Sequence, residues 1–111
     1  MYLSKEAIAA TLRQVASLAP GSTFAMTYML PMELADPEER PGREAAERGA
    51  RANGTPFISF FTSSEIVALA RECGFRAAHA IAPAELTRRY FAGRSDGLRP
   101  PSSEELLVAR T

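Results

Sequence analysis

At 111 residues, with 46% apolar and 23% charged side chains, the chain has the composition of one soluble globular domain with a modest core. Thirteen Lys and Arg balance thirteen Asp and Glu, so no net field draws it to nucleic acid or to an acidic membrane surface. A single cysteine, Cys73, excludes an internal disulfide and suits a reducing compartment, and with neither a signal peptide nor an apolar run of membrane-spanning length the expected location is cytoplasmic.

Ser4 is a good helix N-cap, and Ile8, Leu12, Val15 and Ala19 after it form the stripe of an amphipathic helix that Pro20 and Gly21 end. Two or three residues then suffice to reach a strand. A helix packed in this way normally follows a strand, yet only Met1, Tyr2 and Leu3 precede Ser4, so the chain is expected to begin within a βαβ unit. The stretch Ser22 to Pro31, STFAMTYMLP, is the strand around which the rest is organised. Phe24, Met26, Tyr28 and Leu30 alternate with Ala25, Thr27 and Met29, so neither face carries a charge and cover on both faces is predicted. Ligands of open α/β sheets collect beyond the carboxyl ends of the strands, which places the expected site at and after Leu30 and Pro31.

From Met32 to Asn53 the sequence becomes charged, with nine charges between Asp36 and Arg51. Glu44 with Arg48 and Glu47 with Arg51 have the i,i+4 order that supports an exposed helix. A solvated excursion is favoured over the alternative, a lid on a ligand site. In GTPFISFFT, Gly54 to Thr62, Phe57 and Phe61 are read as core filling in preference to pocket lining, although one of the rings or Ser59 could border a pocket. Thr62 and Glu65 form a capping box, Ile66, Leu69, Ala70 and Cys73 share a helical face, and Gly74 closes the helix. Cys73 is therefore expected to be a buried structural thiol.

FRAAHAI, Phe75 to Ile81, reads as a second strand with Phe75, Ala77, His79 and Ile81 on one side. His79, the only histidine, is expected to be a packing residue and not a base. Pro83 starts a short helix that ends before Gly93, Gly93 to Ser103 is a loop, and ELLVA, Glu105 to Ala109, is apolar on both faces like a central strand. Neither GxGxxG, GxxxxGK[ST] nor GxSxG occurs, no zinc-ligand set is available, and the pairs Glu38–Glu39 and Glu104–Glu105 are expected to be solvated or capping.

Five segments, MYLSKEAIAATLRQVASLAPGSTFAMTYMLP, DPEERPG, GTPFISFFTSSEIVALARECGF, RRYFAGRSDGLRP and EELLVART, together resemble the carboxyl-terminal portion of the bacterial S-adenosylmethionine-dependent methyltransferases related to leucine carboxyl methyltransferases. The resemblance implies an α/β fold, the C-terminal part of a class I methyltransferase Rossmann-like sheet. Thr23 to Leu30 would be its fifth strand, Arg76 to Ile81 its sixth, and Glu105 to Ala109 its seventh, antiparallel between them. Residues 1–111 would then form a single partial domain, without the N-terminal half that carries the glycine-rich cofactor turn. Tyr2 would border the S-adenosyl-L-methionine cavity, and Phe57, Ser59 and Phe60 would fall on the substrate side. The implied reaction is methyl transfer to an oxygen or carboxylate acceptor, with little activity from this chain alone because in-line transfer needs donor and acceptor positioned together. The alternatives are a non-catalytic interaction module that self-associates through an open sheet edge, or a gene remnant.

Overall fold

The structure, a computed structural model, describes residues 1–111. Its elements are α1 (Lys5–Ala16), β1 (Thr23–Met29), a single 3-10 turn (Met32–Leu34), α2 (Arg40–Ala52), α3 (Ser63–Glu72), β2 (Ala77–Ile81), α4 (Pro83–Leu86) running into a wider turn (Thr87–Phe91), and β3 (Glu104–Arg110). Local chemistry sets most of these boundaries. The Ser4 side chain accepts the Ala7 N–H and starts α1, and the Thr62–Glu65 box starts α3 with both of its reciprocal hydrogen bonds formed. Gly74, at φ +110°, takes the left-handed turn that ends α3. The first helix stops at Ala16, earlier than its apolar stripe suggested, and Ser17–Ser22 make the connection to β1. Val15 and Ala16 lie against the core, whereas Ala19 is exposed, so the stripe loses its packing partner before the glycine is reached.

The three strands form one sheet in the order β1-β3-β2, with β3 antiparallel to both neighbours. Tyr28 lies opposite Glu105 and Met26 opposite Leu107, while Ala80 faces Leu107 from the other side. This register puts Phe24, Met26, Tyr28, Leu107, Ala109, Ala78 and Ala80 on one face. There α1 contributes Ile8, Ala9 and Leu12, and α3 contributes Ile66, Ala70 and Cys73, to a single core. Cys73 is buried, and its thiol donates to the Ala9 carbonyl oxygen at 3.5 Å.

The other face corrects the sequence reading. Ala25 and Thr27 on β1 and Ala77 and His79 on β2 are exposed, and Leu106 and Val108 are half-buried, so this face is open along most of its length, with Met29 buried at the end of β1 and Leu86 of α4 bordering Leu106. His79 is consequently a surface residue and not a packing one. Phe75 also departs from the expected alternation. It precedes β2, is buried, and stacks on Phe24 with ring centroids 6.0 Å apart, because the turn at Gly74 re-aims the chain before the strand begins. No helix is long and apolar enough to cross a membrane.

Candidate functional site

Beyond the carboxyl end of β1 lies a cavity of about 700 Å³. Met29 at the end of β1, Gly42, Arg43 and Ala46 of α2, Met1 and Phe57, and the loop Gly97–Ser103 line it. Its position is the one expected for an α/β sheet, and its volume is in the range of small-molecule sites. The charged excursion is largely solvated, as its favoured reading has it, and Gly42, Arg43 and Ala46 also make it part of the wall. Most of α2 is exposed, but Arg43 is buried. The i,i+4 pair that forms in α2 is Arg43–Glu47, with Nε 3.1 Å from Oε1, in place of Glu44–Arg48 or Glu47–Arg51. Residues four apart are neighbours on any helix, and the burial of Arg43 holds its side chain beside Glu47.

Two loops close the cavity through one carboxylate. Glu39 Oε2 accepts from the Ser102 N–H at 2.7 Å and from its hydroxyl at 2.8 Å, and Arg99 lies 3.4 Å from Oε1. The Ser102 hydroxyl oxygen also accepts the Asp36 N–H at 2.9 Å. The Ser102 amide, then its hydroxyl, and then Arg99 hold the Glu39 carboxyl below its usual range. With the native pKa depressed, the tie is complete above the ordinary glutamate value of about 4.3 and is lost as pH falls through the native value. The Ser102 amide is therefore expected to exchange its hydrogen faster, once the intrinsic rate is allowed for, as the pH falls below the ordinary carboxylate range. Glu39→Gln should show the faster exchange already at neutral pH. Equal protection in the variant would mean that the carboxylate does not hold the loops together.

Glu105 overturns the expectation for the second acidic pair. Glu104 is half-buried at the start of β3, but Glu105 is buried, accepting from the Tyr28 hydroxyl and, at 2.7 Å, from the Ser63 hydroxyl at the start of α3. Its parity with Leu107 and Ala109 is the sequence signal that pointed inward. This cluster belongs to the scaffold beneath α3, outside the cavity lining.

The four residues singled out from sequence lie close together but differ in availability. Tyr2 is 57% exposed, and its ring meets Phe57 edge to face, with centroids 5.3 Å apart and planes at 78°. Phe57 is half-buried and lines the cavity. Ser59 is buried, and its hydroxyl donates to the Leu3 carbonyl oxygen at 2.8 Å. The amides of Ile58 and Ser59 both donate to Met1 O, at 2.9 and 3.2 Å, so this segment fastens the first residues of the chain. Phe60 presents its ring to Arg43, whose guanidinium carbon is 5.2 Å from the centroid. Phe61 is buried core, as expected. The sequence reading missed Arg43, Glu39 and Ser102; only the i,i+4 spacing of Arg43 and Glu47 hinted at the first.

These residues alone do not fit S-adenosylmethionine: the chain has no glycine-rich turn, and Tyr2 is a single exposed ring set against Phe57. The cavity offers apolar walls and a buried cation, which bind and orient. Neither His79 nor Cys73 lines it. Comparison of the chain with family models, curated proteins and solved structures gives no match.

Proposed function

We propose that this chain is the acceptor-side part of an S-adenosylmethionine-dependent methyltransferase acting on an oxygen or carboxylate acceptor. The observation that carries the reading is the sheet: the last strand in the sequence, β3, runs antiparallel between β1 and β2, the order that the resemblance implies for the fifth, seventh and sixth strands. The cavity beyond the carboxyl end of β1 supports it as well. S-adenosylmethionine supplies the methyl group. This chain's part is to wall off the acceptor with Met29 and Phe57, while polypeptide beyond residues 1–111, docked along the open edge of β1, completes the cofactor cradle.

Calorimetric titration of the 111-residue chain with S-adenosylmethionine tests this. At most weak heat is expected from this chain alone, lowered further by Tyr2→Ala and without methyl turnover, because one wall of the site neither holds the cofactor nor aligns donor and acceptor. A flat titration at about 1 mM cofactor, corresponding to about 4 kcal/mol of binding free energy, would remove cofactor binding from this chain. The second reading, an interaction module, draws on β1 and β2 each pairing on one side only. Concentration-dependent sedimentation together with a flat titration would favour it.

A further inference from the structure

Arg43 is only 8% exposed, yet its guanidinium is half satisfied. Nε donates to Glu47, while Nη1 and Nη2, both buried, have no hydrogen-bond partner; they are the only buried side-chain nitrogen or oxygen atoms in the molecule left in that state. The Phe60 ring attracts the cation through its face but gives the in-plane N–H groups no acceptor. Leaving charged donors unpaired away from water is costly, and such groups are ordinarily found with a counter-charge. Glu47 meets Nε alone, and the acidic groups of the cavity lining are Glu38 and Glu39. Glu39 is engaged by Ser102 and Arg99, Glu38 is exposed to solvent, and Met29, Phe57, Leu98 and Pro101 are apolar.

We propose that this cavity binds an organic oxyanion, a carboxylate or phosphate carried on an apolar body, with Nη1 and Nη2 of Arg43 donating to its oxygens as a fork. A guanidinium matches either group bidentately, and the apolar lining accommodates the rest of the molecule. Both nitrogens are closed off from solvent in this conformation, so binding requires the Arg43 side chain to rotate toward the cavity. Arg99 at the same cavity is paired with Glu39, and Glu38 and Glu39 balance Arg43 and Arg99 in the lining, so recognition of the anion rests on the fork and not on a net field. The assignment rests on the acceptor-site reading of this cavity and narrows it to an oxyanion, and because it is measured without cofactor its failure is distinguishable from failure of methyl transfer.

The 111-residue chain is titrated with benzoate, with phenyl phosphate and with the neutral benzamide, by calorimetry and by amide chemical shifts. At least one of the two anions is expected to bind saturably and to shift amides of α2 and of Gly97–Ser103, benzamide to bind at least about tenfold more weakly, and the better anion to identify the oxyanion class. Arg43→Met keeps an apolar contact with Phe60 and should lower anion affinity by about tenfold or more while holding or raising the thermal midpoint, because it removes two buried donors that have no acceptor. Arg43→Lys, which retains the charge without the fork, should fall between and decides the matter if the methionine variant does not fold. Equal affinity for benzamide and the anions, or anion affinity unchanged in the variant that folds, would overturn the assignment.

Discussion

Leu107→Ala is expected to destabilise the domain more than any other single truncation, by about 2–5 kcal/mol. Leu107 is fully buried at the centre of β3, with Met26 opposite it on β1 and Ala80 on β2. Its side chain therefore lies where both strand pairs meet the helices, and removing it takes contacts from β1, β2 and the helix layer at once. The helices α1 and α3 pack on that face, so they are the layer from which the surroundings can collapse into the gap. The neighbouring Leu106, half-buried on the opposite face, makes the control: Leu106→Ala should cost about 1 kcal/mol or less. Urea unfolding of the two variants measures the difference. Equal losses would mean that the open face carries as much packing as the helical one.

Local chemistry was readable because it is written in adjacent residues. Ser4, the Thr62–Glu65 box and Gly74 each act over a few positions, and each does in the structure what its type predicts. The coverage of β1 was not readable, since STFAMTYMLP records which side chains tolerate burial and not whether a second layer arrives. Only one layer does. Phe75 shows a similar limit, because alternation extends on paper through a turn that in three dimensions resets the direction of the side chains.

The candidate site was legible as a place and illegible as a set of groups. The rule that ligands collect beyond the carboxyl ends of strands located it from β1 alone. The groups that give it chemistry come from two segments far apart in sequence, α2 with Arg43 and the loop holding Arg99 and Ser102, joined through Glu39. Charges in a run such as DPEERPGREAAER look interchangeable until packing chooses one to bury. Arg43 is the one buried, and that choice converts a solvated helix into a wall with a cation inside it. Ser59 shows the reverse: a side chain that looked available for a ligand is engaged in holding Leu3.

Tyr28→Phe is expected to cost about 1–3 kcal/mol, because it leaves the buried Glu105 carboxylate with one donor fewer. The phenol is 2% exposed and donates to Glu105, which also takes the Ser63 hydroxyl at the amino end of α3. Burial first, and the bond to Glu105 second, push the Tyr28 pKa upward. A raised native pKa means that the folded state keeps a proton that the unfolded chain gives up near pH 10. The Tyr28 contribution is therefore whole below about pH 10 and declines above it, by at most about 1.4 kcal/mol per pH unit, until the native phenol itself ionises. Tyr28→Phe should remove this contribution to the alkaline fall, so that wild type and variant approach each other in stability as the pH rises. In a Glu105→Gln background the same change should cost less, since the group left behind is no longer a charge. Urea unfolding at pH 8 and at pH 10.5 measures all three. An undiminished gap between wild type and variant at the higher pH would show that the ring's packing, and not its hydroxyl, is what Tyr28 contributes beneath α3.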